Sequence, residues 1–174
     1  MPLTLSGSSG VLDNSGAFIA GTAVASTSGT SIDFTSIPSW VKRVTVMFNA
    51  VSGNSISPFL VQLGNSGGIE TTGYTGAAGV MVNAANSSVT NQSTGFGIYN
   101  GGTLYNIYGN ATICLLDATT NLWSFSLAGA NGNTGNVIVS GGTKSLSAIL
   151  DRIRITFANG TDTFDSGTIN ILYE

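Results

Sequence analysis

Apolar side chains recur at every second position over short runs of this chain, and the residues between them are small or polar. Val44, Val46 and Phe48 alternate with Arg43, Thr45, Met47 and Asn49, the pattern of a strand with one face in a core. Phe59, Val61 and Leu63 repeat it after Pro58, a residue suited to a strand's start or edge. The longest run is Tyr105, Ile107, Gly109, Ala111, Ile113 and Leu115, set opposite Leu104, Tyr108, Thr112 and Leu116. Trp123, Phe125 and Leu127 line one face against Ser124 and Ser126. Val137 with Val139 comes next, then Ile153, Ile155 and Phe157, and last Ile169, Ile171 and Tyr173.

Breakers separate these runs: Gly53-Asn54, Gly67-Gly68, Asn100-Gly101-Gly102, Asn131-Gly132-Asn133, Gly141-Gly142 and Asn159-Gly160. Glycine and asparagine tolerate the positive φ that tight hairpins require. No window carries an i, i+3, i+4, i+7 pattern with caps. Short strands at this spacing predict an all-β fold, an antiparallel β-sandwich or a jelly-roll-like arrangement. Residues 1–30 are different, with Gly7, Gly10, Gly16, Gly21 and Gly29 spread through Ser, Thr and Ala. Such a segment builds no core of its own. It reads as an extended N-terminal arm for attachment, and 31–174 as the sandwich domain. The softer stretch Gly76–Gly97 reads as a strand pair with a long exposed loop around Asn83–Thr94, either a mobile loop with no task or the kind of place where binding sits.

Composition narrows the function classes. The chain has no histidine, which removes the commonest general base and the commonest metal ligand. Charged residues are 7% of the chain against a usual ~25%, so the surface is covered by neutral groups. A chain of 174 residues is long enough to bury a core without metals or disulfides. No apolar run approaches the ~20 residues that span a bilayer as a helix, so membrane insertion is not expected. Lys42, Arg43, Lys144, Arg152 and Arg154 are the only basic residues, too few for a phosphate-tracking stripe, and nucleic acid is not an expected partner. Cys114 is alone, without a partner for a disulfide or a thiolate cluster. The opening residues lack the basic and apolar regions of a secretory signal, and synthesis in a cytoplasm is expected.

Candidate chemistry is sparse. Asn159-Gly160-Thr161-Asp162-Thr163-Phe164-Asp165 offers oxygens at short intervals but lacks the ligand ladder of a calcium loop. It reads as a type I′ hairpin in which Asp162 or Asp165 bonds nearby backbone. Arg152 and Arg154 share the face opposite Ile153 and Ile155. They are candidates for pairing with Asp33, Asp117 or Glu70, across strands or across a subunit boundary. Lys42-Arg43 beside Trp40 reads as a strand entry with one aromatic anchor. Tyr74, Tyr99, Tyr105 and Tyr108 lie among asparagines, as glycan platforms do, and Tyr74, Asn86, Asn91 and Tyr99 are the candidate surface-recognition residues. Alternation places at least one of Tyr105 and Tyr108 in the core. A Ser–Lys dyad on Lys42 or Lys144 has no supporting motif, and no carboxylate pair suggests glycoside chemistry. The sequence therefore predicts no catalytic residues, no cofactor and no metal.

Two stretches carry a resemblance. One runs from Ile32-Asp33-Phe34 through Trp40-Val41-Lys42-Arg43 to Phe48-Asn49, and the other from Leu150-Asp151-Arg152-Ile153-Arg154 to Ile171-Leu172-Tyr173-Glu174. Together they resemble a module of tailed-bacteriophage virion proteins, often tail-fibre or appendage proteins. The opening Leu3-Thr4-Leu5-Ser6-Gly7-Ser8-Ser9-Gly10 is similar to the start of phage fibre polypeptides. The resemblance implies a non-enzymatic β-sandwich subunit of the virion, homotrimeric, joined to other virion proteins by its arm and meeting host glycan through its loops. A capsid decoration protein and a soluble lectin-like glycan-binding module are the alternatives.

Overall fold

The structure, a computed structural model, describes residues 5–6, 10–11, 18–82, 86–102 and 105–174. All regular structure among these residues is β. The strands are β1 (Leu5–Ser6), β2 (Gly10–Val11), β3 (Ile19–Ala20), β4 (Val24–Ala25), β5 (Ser31–Phe34), β6 (Arg43–Gly53), β7 (Phe59–Asn65) and β8 (Gly68–Ile69). They continue with β9 (Tyr74–Val82), β10 (Asn86–Asn91), β11 (Phe96–Ile98), β12 (Ile107–Asp117), β13 (Leu122–Asn131), β14 (Val137–Ser145), β15 (Arg152–Phe157) and β16 (Phe164–Tyr173).

Two antiparallel sheets pack face to face. The large one has nine strands in the order β10-β9-β14-β13-β12-β6-β16-β3, with β4 also on β16. The small one has five, in the order β11-β7-β15-β5, with β8 on β7. Alternation explains the core. Ile153, Ile155 and Phe157 of β15 point inward with Phe59, Val61 and Leu63 of β7, and meet Val44, Val46, Ile113, Phe125 and Ile171 from the large sheet. Phe59, Phe157 and Phe164 cluster with ring centroids 4.7–5.9 Å apart. A second cluster sets Phe96 against Phe125 at 4.6 Å and against the edge of Tyr74 at 5.0 Å. Burying these rings adds to what the more numerous buried Val, Ile and Leu side chains contribute.

Local chemistry sets two features that alternation alone misses. In β6, Ala50 has a φ of 55° and forms a bulge, so that Phe48 faces Gly109 whereas Val51 faces Ile107. The inward positions consequently change from Val44, Val46 and Phe48 to Val51, because a bulge adds one residue to one strand. Gly167 of β16 lies against it with a φ of 96°, and a Cβ there would run into the Ala50 carbonyl. Only glycine fits at that position. The second feature is Gly141-Gly142, which is not a turn but the middle of β14. A Cβ on Gly142 would come within 2.6 Å of the Thr75 carbonyl, so the pair permits close approach of β14 and β9.

Three further expectations are corrected. Residues 18–30 are not separate from the sandwich: β3 and β4 pair with β16, and Ser26 is fully buried, its Oγ donating to the Ser166 carbonyl at 2.7 Å. Of the rest of the arm, β1 pairs with β2 and the other residues lie outside the described ones. The stretch expected as a loop at Asn83–Thr94 contains β10, paired along its length with β9, while 83–85 lie outside the described residues. Finally, Asn159–Asp165 joins β15 to β16, which belong to different sheets, so it is a crossover between layers and not a hairpin.

Candidate functional site

The buried charges form braces. Lys144 points inward from β14, 6% exposed, and donates from Nζ to Glu70 Oε2 at 2.5 Å and to the Ser145 carbonyl at 2.7 Å. Its ammonium lies 5.5 Å from the centroid of the Tyr74 ring. Glu70 Oε1 also accepts from the Ser147 N–H at 2.9 Å, the Ser147 hydroxyl at 2.7 Å and Asn65 Nδ2 at 2.9 Å. Burial pulls the Glu70 carboxyl upward, but the hydrogen bonds from Lys144 and Ser147 and the lysine charge outweigh it and hold it below its usual value. This carboxylate ties β7, β8 and the end of β14 together. Lys144 thus braces the layers through Glu70.

Tyr74 belongs to the same cluster and is not a surface platform. It is 5% exposed, its hydroxyl donates to the Glu70 carbonyl at 2.9 Å, and the same hydroxyl accepts from the Leu63 N–H at 2.7 Å. Burial pushes its phenol well above the usual tyrosine value, against the Leu63 hydrogen bond and with help from the Glu70 charge. Of the other expected recognition residues, Asn91 shares a cleft with it and Tyr99 does not line that cleft. Asn86 lies in β10, with its side chain outside the described set, and Asn91 is exposed at the end of that strand. Tyr99 is half-buried against Tyr105, with centroids 6.3 Å apart. Among the four tyrosines of the sequence argument only Tyr108 is exposed, at 42%. A shallow cleft of about 570 Å³ does join Asn91 to Gln92, Ser93 and the edge of Tyr74.

Arg152 and Arg154 both pair with carboxylates of the same chain. Arg154 makes a bidentate pair with Asp33 of β5, both bonds 2.7 Å, which holds the guanidinium's affinity for its proton above the usual value. Arg152 pairs with the adjacent Asp151 at 2.7 Å. Arg43 pairs with Glu174 across the start of β6, and Trp40 leans on Tyr173 at 6.1 Å. In the crossover it is Asn159 that organises the backbone, accepting from the N–H groups of Thr161 and Asp162, both at 3.1 Å. Asp162 accepts from Asn159 Nδ2 at 2.7 Å, and the Asp165 carboxylate accepts from the Ser52 hydroxyl. Neither carboxylate bonds nearby backbone. Among the described residues no three His, Cys, Asp or Glu side chains stand where they would hold a metal ion.

The two outer faces of the sandwich remain. On the small sheet, the outward residues Leu60 and Gln62 are nearly covered, 2% and 6% exposed, because the chain before β11 folds over them and Gln62 Nε2 donates to the Thr94 carbonyl at 2.8 Å. Beside them is an open depression of about 380 Å³ walled by Thr30, Thr71, Thr94 and Thr156. It offers hydroxyl groups and no exposed aromatic ring, so it has donors for a polyol without a stacking surface.

The large sheet's outer face is of another kind. Its central row runs Gly79, Val139, Ala128, Asn110 and Met47 from β9 to β6. One neighbouring row is Met81, Val137, Ala130 and Tyr108, and the other is Ala77, Gly141, Ser126, Thr112 and Thr45. No residue in these rows is charged. Met81 is 53% exposed, Val137 42% and Val139 39%. The two valines, which stand as the apolar positions of their strand in the sequence, face solvent, and Ile138 between them enters the core. The signal available in the sequence was the run Val137-Ile138-Val139, apolar on both faces of one strand. Its described rows are uncharged and expose apolar area. Comparison with protein-family models, with curated proteins and with solved structures finds no match to this chain.

Proposed function

We propose that this chain is a non-enzymatic structural subunit of a tailed-bacteriophage virion, a homotrimeric tail-fibre or tail-appendage protein made in the host cytoplasm. The observation that carries this reading is where the two resembling stretches lie. They are far apart in sequence, yet β5 pairs with β15 and β6 pairs with β16. These pairings support reading the two stretches together, as the closing strands of the sandwich in both layers. Further support comes from the use of the charged groups as internal braces between strands and layers. In this reading the N-terminal residues join other virion proteins, and host glycan is met by exposed loops and the threonine-walled depression.

Quantitative mass spectrometry of purified particles tests it. A copy number that is a small fraction of the major capsid protein's is expected. A number comparable to the capsid protein's would move the chain to the head as a decoration protein. Absence from particles that are infectious, with measurable glycan affinity of the free protein, would replace the reading with a lectin-like module.

A further inference from the structure

We infer that the outer face of the large sheet is the surface on which copies of this chain meet. The inference rests on the homo-oligomer reading above and adds to it the place of contact.

Three observations favour a second copy as the occupant. The first is area. Seven strands from β10 to β16 lie side by side, and at ~4.8 Å between strands and ~3.3 Å per residue they present about 30 Å by about 30 Å. That is on the order of 900 Å², against roughly 800 Å² per partner in a stable complex. The second is apolar exposure: Met81, Val137, Val139 and Tyr108 stand on this face 39–53% exposed, where an antiparallel sheet meeting water ordinarily turns polar side chains outward. Their neighbours are small, so a flat surface can approach to the ~10 Å spacing of packed sheets.

The third is charge. The chain carries a net charge of −3, and in a cyclic trimer the side chains nearest the axis approach their own copies. A charged residue at such a contact meets its own sign, and a face without charges escapes that repulsion. On this face the charge at one corner is Arg43, two positions beyond Thr45 and already paired with Glu174. The small sheet's outer face has no such neutrality, since Asp33, Arg152 and Arg154 stand on or beside it.

Sedimentation equilibrium across the micromolar range, on the full chain, tests the inference with three variants. Ala128→Glu places a charge at the centre of the face, Val139→Ser removes apolar area without adding charge, and Ile149→Glu adds the same charge in the loop before β15. Wild type and Ile149→Glu are expected to be oligomers, Ala128→Glu a monomer, and Val139→Ser an oligomer whose dissociation constant is raised about tenfold. Circular dichroism melts establish that each variant is folded. An oligomeric, folded Ala128→Glu together with an unchanged Val139→Ser would overturn this face as the contact and leave the homo-oligomer reading standing. A monomeric wild type would overturn both.

Discussion

The two outer faces of this sandwich are built from the same alternation and end in opposite states. On the small sheet, outward positions are taken up by the chain itself: Arg154 by Asp33, Gln62 by the Thr94 carbonyl, Thr156 by the Thr30 carbonyl at 2.8 Å. On the large sheet, outward positions across β9, β14, β13 and β12 are small, apolar or, as at Asn110 and Thr112, neutral polar, and among the described residues no charged side chain is bonded to them. The first face stabilises the protomer. The second contributes little to the protomer and is suited to contact with another molecule. An uncharged surface is therefore not a uniform coat in this protein but a property of one side.

Substitutions can break or sharpen that contrast. The largest effect is expected at the brace between layers. Lys144→Met leaves the Glu70 carboxylate without its cation and is expected to lower unfolding free energy by about 3 kcal/mol, read from the urea midpoint. Adding Glu70→Gln is expected to recover part of the loss. The same pair sets an acid dependence. Glu70 is held low in the folded state, so its stabilisation is present above its unfolded value and is lost as pH falls through the lower folded one. Melting temperature is expected to fall more steeply into the acid range for wild type than for Glu70→Gln; equal slopes would remove Glu70 from the account.

Gly167→Ala comes next, at about 2 kcal/mol, because it places a Cβ against the Ala50 carbonyl in a conformation that side chains avoid. Arg154→Ala is expected to matter less, at most about 1 kcal/mol and less in high salt, since both partners are more than a third exposed. The smallest effect on protomer stability is expected from Ala128→Glu, below about 0.5 kcal/mol. If Ala128→Glu destabilised the monomer as much as Lys144→Met, the two faces would not differ in the way argued here.

Much of the fold is legible in alternation, and the failures have identifiable causes. Ile153, Ile155 and Phe157 could be assigned to the core from sequence because Arg152, Arg154 and Thr156 separate them. Val137, Ile138 and Val139 could not, since three apolar residues in succession leave the facing direction open. Tyr74 was misread as a platform because its surroundings in sequence are polar, whereas its ring packs on Phe96, a residue of another strand. The bulge at Ala50 had no signal at all, as nothing in Asn49-Ala50-Val51 announces a positive φ. The braces were half-legible. Asp33 and Glu70 could be named as partners for the arginines, but the choice of Asp33 for Arg154 and of Lys144 for Glu70 depends on which strands are neighbours.

Composition and periodicity were enough for an all-β chain with an internal core, because they act through local rules that each segment obeys alone. Which face is covered, which charge meets which, and where residues 18–30 lie were decided by strand pairing between residues up to 154 positions apart, Ile19 with Tyr173. Pairing register is a long-range choice, set by the packing of both layers together, and no window of the chain contains it.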